Sequence, residues 1–342
     1  MNGGEISPIE HLRNTEETLL SDLSALIVLG AIFGRAAPSG DAGLAGLRAD
    51  LPPSAVAVLT RAGVIGADGG VTARFAALWQ ARGPALLARI DFILKATRDL
   101  IDHGDALLAD PARFMQRASV FAMFDYSRGF EPGPAARADT ERWTRYVAAL
   151  SDLEGPPLSE AIAALVAPTR PLRILEIGGN IGAFAAHLIR RLPVADYTIL
   201  DIPQVCAIGA DHARAAGVDV RFRPGDMHRM AWSDGGVARP DCIVLKSVLH
   251  DWPLDRARQV LERALEAVVP GGQVVIAERC AFRAENLGLP AASDAANMVF
   301  APFYRDASVY KGLLHALAPS IKVDVTPVVL DMRWFVMVAT RS

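Results

Sequence analysis

Five apolar runs in the second half of the chain limit its fold more than any other feature. From Arg170 onward, RILEIG, YTILD, VRFRPGD, DCIVLKSVL and GGQVVIAER read as strands separated by helical stretches. Apolar runs without alternation belong to strands covered on both faces, and strand–helix alternation joins such strands in parallel. After a helix around Asn297 to Ala318, IKVDVTPVVL and MRWFVMVATR follow with only Asp331 and its neighbours between them. So short a connection makes the last pair antiparallel. Residues 166–342 are therefore expected to form an α/β domain, a Rossmann-like sheet with a terminal antiparallel hairpin.

Residues 1–165 have a different rhythm. Glu16 to Phe33 carries Leu19, Leu20, Leu23, Ile27, Leu29 and Ile32, too many apolar positions for one stripe, which predicts a helix buried on several sides. In LPPSAVAVLTRAGVIGADGGV, Pro52 or Pro53 suits the first turn of a helix and Gly63 its end. VIGADGGV reads as a hairpin turning at Asp68-Gly69. Helix, helix and small hairpin make a winged-helix outline. A DNA reader of that shape needs a basic footprint. Residues 1–120 instead hold thirteen acidic against eleven basic side chains, and Arg61 stands alone on the second helix. The half is read as a mainly helical dimerisation domain or lid, with no nucleic-acid partner.

Composition narrows the setting. The 342 residues, 51% hydrophobic and 21% charged, suit two globular domains. A net charge of -3 supplies no global field toward nucleic acid or anionic membranes. The run LSALIVLGAIFG is about half the ~20 residues a spanning helix needs. The opening MNGGEISPIEH lacks the basic head of a secretory leader. Cys206, Cys242 and Cys280 are widely spaced and odd in number, and read as reduced, buried thiols. A cytoplasmic chain without a membrane partner is expected.

The stretch RILEIGGNIGAFAAHL is a strand, a glycine turn and the start of a helix. A dinucleotide fingerprint needs glycine at i, i+2 and i+5. From Gly178 those positions hold Gly178, Asn180 and Ala183, and from Gly179 they hold Gly179, Ile181 and Phe184, so neither register fits. A carboxylate, Glu176, stands two before the first glycine, where it would repel a pyrophosphate. S-adenosylmethionine has no phosphate and carries an ammonium and a sulfonium. Glu176 can attract that cationic end, while Gly178, Gly179 and Gly182 let the backbone approach the ligand. Asn180 tolerates the left-handed backbone, and its amide can reach the methionine portion. Asp201 ends the next strand, 25 residues on, where it can accept both ribose hydroxyls, with Ile202 beside it. Asp226, in RPGDM, ends the third, placed to accept from the adenine amino group with Met227 packing on the ring. Acids at successive strand ends mark the ligand crevice of an open α/β sheet.

The ordered set EIGGNIG, LDIPQV, GDM, LKSVLHDWP and VVIAERC resembles the class I S-adenosylmethionine-dependent small-molecule O-methyltransferases, of the plant caffeic-acid type and bacterial natural-product type. The winged-helix outline resembles that family's dimerisation domain. The resemblance implies a homodimer that uses S-adenosyl-L-methionine to methylate a hydroxyl of an aromatic or polyketide-like metabolite. It implies His250 as general base, with Glu278, 28 residues on, as the carboxylate beside it. Asp251 is expected to support or cap, because neighbours on a strand end point apart. Lys246 is implied near the adenine or the carboxylate of the cofactor, and Trp252 suits a wall of the adenine pocket.

Trp143, Tyr146, Asn297, Met298 and Phe300 are candidates to sandwich an apolar ring of the acceptor. Pro132 and Pro134 mark a loop that can close, bringing Tyr126 and Arg128 to the acceptor. No carboxylate cluster suggests a metal, and His228 reads as a loop residue. One departure stands out: plant members carry a second acid beside the base, and NMVFAPFYRDASVY has no clear counterpart. Methylation at nitrogen or carbon, or a decarboxylase-like reaction, stays open on the same fold, as does a cofactor-binding winged-helix regulator.

Overall fold

The computed structural model describes residues 8–33, 47, 51–123, 126–229, 232, 238–288 and 291–342. They form two compact units: Met1–Ala122 with Pro290–Val299, and Met123–Leu289 with Phe300–Ser342.

In the first unit the expected Glu16–Phe33 helix is two helices, α1 (Pro8–Leu20) and α2 (Leu23–Phe33). Asp22 interrupts them because its carboxylate accepts from the Ala25 amide and caps α2. α2 buries Ala25, Leu26, Leu29 and Phe33, whereas Leu23 and Ile27 are exposed, so one side faces the core and not several. α3 (Pro53–Arg61) starts at its proline, and Gly63 follows it with a left-handed backbone. A turn at Asp68-Gly69 joins a single antiparallel bridge, Ile65 to Val71. The Thr72 hydroxyl then caps α4 (Ala73–Ala109) by accepting from the Phe75 amide. Two short helices, α5 (Pro111–Arg117) and α6 (Ser119–Met123), follow. Glu16, fully buried, takes Arg82 and Arg89 at 2.8 Å each.

In the second unit, α7 (Pro134–Val166) leads into β1 (Leu172–Ile177), α8 (Ala183–Ile189), β2 (Val194–Asp201), α9 (Pro203–Ala216), β3 (Arg221–Pro224), β4 (Cys242–Lys246), α10 (Leu254–Ala267) and β5 (Gln273–Arg279). The late helix expected over 297–318 is two, α11 (Asp294–Met298), which belongs to the first unit, and α12 (Ala307–Leu317). β6 (Lys322–Val329) and β7 (Arg333–Thr340) close the chain.

The sheet has seven strands in the order β3-β2-β1-β4-β5-β7-β6, with β1 to β5 parallel and β7 antiparallel to both neighbours. β4 and β5 are buried nearly throughout, and β7 likewise, as their unbroken apolar runs require. β6 mixes half-buried and exposed positions and carries Pro327, which suits an edge.

The domain boundary differs from the expected 165/166. Leu158, Ile162 and Val166 of α7 lie in the same apolar cluster as Ile174, Tyr197 and Val244 of the sheet. That face makes α7 part of the sheet's core, so the division falls earlier, after Ala122. Helical rhythm alone placed α7 with the helical half.

Asp241, just before β4, ties down the opposite end of β1. Its carboxylate accepts from the Arg173 amide and guanidinium and from Arg170, all at 2.8–2.9 Å. Hydrogen bonds from Arg173 and then Arg170, outweighing burial, hold its carboxyl far below the usual carboxylate range. Replacing it by Asn is expected to cost about 1–2 kcal/mol at neutral pH, the arginines being partly exposed. A lowered native pKa stabilises above the unfolded value of ~3.9 and is lost as pH falls through the native one. Urea denaturation at several pH values should therefore show wild type and variant converging only in strong acid.

Candidate active site

The strand order reverses between β1 and β4, which opens a crevice at their carboxyl ends. A cavity of about 420 Å³ lies there, within the second unit. Its walls include Glu176, Gly178, Gly179, Asn180, Asp201 and Ile202 from the first two strand ends. Asp226 and Met227 after β3, and Lys246, Asp251 and Trp252 after β4, complete that set. Eleven residues chosen from sequence thus meet in one place.

Backbone conformation shapes the first wall. Gly178 has φ +65°, and a Cβ on Gly179 would fall 2.8 Å from the Glu176 carboxyl carbon. A side chain at Gly179 would fill the space in front of that carboxylate, and one at Gly178 would run into Val248. Asn180 is left-handed at φ +54°. Its side-chain oxygen accepts from the Ile181 amide at 2.6 Å, so the loop itself uses that oxygen. Gly182, expected to admit ligand, does not line the cavity. It starts α8, and its α-carbon faces Ile199 and Phe222.

Four acids line this space, and the three at or just after the ends of β1, β2 and β3 have different partners. Glu176 is 2% exposed and accepts from the Tyr197 hydroxyl at 2.8 Å. Burial raises its pKa to about 8, against the opposing pull of Tyr197 and Lys246. Asp201 accepts from the amides of Asn180 and Ile202 at 2.8 Å each, yet burial still lifts it to about 6. Asp226 accepts from the His228 amide at 2.8 Å.

Lys246 is committed elsewhere. Its ammonium donates to Glu154 of α7 at 2.6 Å, and Arg279 at the end of β5 pairs with the same carboxylate. This buried triad is 92 residues wide in sequence between Glu154 and Lys246, and no local pattern announces it.

His250 sits behind the cavity, buried, and does not line it. Its Nδ1 lies 2.5 Å from Glu278 Oε2, as the resemblance implied. The other Glu278 oxygen accepts from the Val248 and Leu249 amides, so one buried carboxylate shapes the turn and holds the ring. Asp251 departs from expectation. Residues 249–251 form a 3₁₀ turn and not a strand end, which brings Asp251 Oδ1 to 3.3 Å from His250 Nε2. Asp251 Oδ2 accepts from the Tyr126 hydroxyl at 2.9 Å. Burial alone pulls the imidazole pKa down, but Glu278 and then Asp251 outweigh it and leave the pKa raised.

Of the acceptor candidates, Trp143 lines the cavity and meets Tyr126 edge to face at 5.5 Å. Tyr146 is buried on the same helix, away from it. Asn297 and Met298 belong to the first unit, and Phe300 is half-buried in the second; none of the three is in its walls. The side chain of Arg128 lies outside the described residues, as does the opening MNGGEIS. Sequence reading missed Ser247, whose hydroxyl is buried without a hydrogen-bond partner among the described residues. It also passed over His228, which lines the cavity and packs edge-on against Trp252 at 4.3 Å. Among the described residues, no helix is long and apolar enough to cross a membrane.

Known proteins are similar to this chain in sequence and in fold. A 3-hydroxy-5-methyl-1-naphthoate 3-O-methyltransferase of Streptomyces sahachiroi is 33% identical over 117 residues, 34% of this chain and 33% of its own. A demethylspheroidene O-methyltransferase of Cereibacter sphaeroides is 26% identical over 201 residues, 58% of this chain and 50% of its own. The chain thus matches a third to a half of these relatives' lengths. The structure of human N-acetylserotonin methyltransferase in complex with SAM aligns over 100% of both chains, with TM-score 0.65 and 17% identity. That of the mitomycin 7-O-methyltransferase aligns over 97% of this chain and 96% of its own, with TM-score 0.61 and 18% identity. Both are likenesses of fold. The O-methyltransferase domain model matches residues 107–316, well over half of the chain, and the protein belongs to that family.

Proposed function

We propose that the protein is an S-adenosylmethionine-dependent O-methyltransferase acting on a hydroxyl of an aromatic or polyketide-like metabolite, with His250 as base. One observation carries the cofactor assignment. Glu176 is a buried carboxylate on a cavity wall, and among the described residues its only hydrogen-bond donor is the uncharged Tyr197. Such a group calls for a cationic ligand. The methionyl ammonium of S-adenosylmethionine supplies one, and the rest of the donor set fits the molecule. Asp201 would take the ribose hydroxyls, Asp226 the adenine amino group, and Met227 and Trp252 the faces of the ring. Bound S-adenosylmethionine supplies a methyl group made electrophilic by its sulfonium.

The chain's own residues position the partners and manage the proton. A phenol has a pKa near ~10 and free imidazole near ~6.5. With Nδ1 held against Glu278, the atom left to accept the hydroxyl proton is Nε2. Asp251, at 3.3 Å, stabilises the resulting imidazolium. It stands where the sequence offered no second acid from the later helical region. The dimer implied by the resemblance is part of the same reading, and Leu23, Ile27, Ile101 and Leu108 are exposed apolar residues of the first unit available for it.

Incubation with methyl-labelled cofactor and a panel of phenols, naphthols and hydroxylated polyketides is expected to place label in a methyl ether. His250→Ala should lower kcat by roughly 10²–10⁴ while cofactor affinity holds, since the ring is not in the cavity wall. A variant working at full rate would remove the base assignment. The pH profile adds a second check. The base acts only when neutral and its pKa is raised, so kcat/KM should climb with pH along an acid limb centred above the ordinary ~6.5. Asp251→Asn should move that limb to lower pH.

A further inference from the structure

We infer that Tyr197, a residue of the sheet and not of the cavity wall, governs how tightly and over what pH range the cavity holds an alkylammonium ligand, by fixing the Glu176 carboxylate from beneath. The ligand's identity rests on the proposed cofactor; the role of Tyr197 rests on geometry. In the parallel pairing of β1 with β2, Ile174 lies opposite Tyr197. Side chains two apart on a strand share a face. Tyr197 and Glu176 therefore project from the same side of the sheet, Glu176 one step nearer the crevice. Tyr197 is 2% exposed, packed in the apolar cluster with Ile174, Phe184 and Val244. Its single polar side-chain atom donates to Glu176 Oε2 at 2.8 Å.

The surrounding charges leave that contact decisive. Lys246 acts on Glu176 from a distance, its ammonium being hydrogen-bonded to Glu154, which Arg279 also holds. Asp201 at the tip of β2 opposes a second negative charge. Among the described residues, only Tyr197 hydrogen-bonds to the carboxylate. Holding Oε2 leaves the other oxygen for a ligand and restricts the side chain to one orientation. A hydrogen bond to the ionised form also favours that form against burial, which favours the neutral acid. Burial, then the Glu176 charge, pushes the phenol's own pKa well above its usual value, so it remains a donor throughout. A protonated Glu176 forms no ion pair with an ammonium, so orientation and charge state are set by one bond.

Tyr197→Phe removes the hydroxyl and keeps the ring. Calorimetric titration with S-adenosylhomocysteine, which retains the ammonium and lacks the sulfonium, is the direct test. Wild-type affinity is expected to strengthen with pH as Glu176 ionises around about 8. The variant should bind about tenfold more weakly at neutral pH, with the rise displaced upward. In a Glu176→Gln background the same change should have no further effect. A ligand-free measurement runs beside it: in ¹³C-glutamate-labelled protein, the late-titrating carboxyl signal that Glu176→Gln abolishes should move to higher pH in Tyr197→Phe. Superimposable titrations and affinities for Tyr197→Phe and wild type would overturn the inference. A wild type that gives no heat with the thioether would instead overturn the cofactor reading, and the carboxyl titration still decides the role of Tyr197.

Discussion

A parallel sheet gathers the carboxyl ends of its strands on one edge, and the chemistry of this protein depends on that constraint. Glu176, Asp201, Lys246 and Glu278 all stand at or beside strand ends that the register brings together. Burying so many charges costs several kcal/mol per uncompensated ion. The structure meets that cost unevenly. Glu278 accepts from two backbone amides and an imidazole, and Glu154 is shared between Lys246 and Arg279. Glu176 has a single neutral donor. The compensated groups form the frame, and the uncompensated one faces the cavity, where the proposed cofactor would bring its ammonium.

The same logic links the cavity to the base. Glu278 closes the 3₁₀ turn through the Val248 and Leu249 amides and holds His250 with its second oxygen. The turn then swings Asp251 back toward the far side of the ring, where Tyr126 secures it. Asp251 and Tyr126 line the cavity while His250 does not. The imidazole thus sits between two carboxylates, which raises its basicity although burial acts against it. A base with that surrounding suits a weakly acidic hydroxyl, the acceptor of the proposed reaction.

Much of this was legible in the sequence because it is local. Continuous apolar runs announced buried parallel strands, and a short connection announced the antiparallel end. Acids at the tips of β1 and β2 and in the loop after β3 announced the crevice. The misreadings arise where neighbours in space decide. Asp22 splits what looked like one helix, and packing on the sheet draws α7 out of the helical half. A 3₁₀ turn, not a strand end, sets the direction of Asp251. Gly182 faces Ile199 and Phe222 and lies outside the cavity wall.

By itself the sequence determined the element types, the parallel direction of the first five strands and the set of polar residues at their carboxyl edge. Periodicity and residue chemistry act over a few positions and need no partner to be read. Tertiary structure alone decided which charges are neutralised. Glu154 reaches Lys246 across 92 residues, and Tyr197 reaches Glu176 from the adjacent strand. The ionisation of a buried group depends on what lies within a few ångströms of it, whatever its distance along the chain. Proximity of that kind exists only after folding.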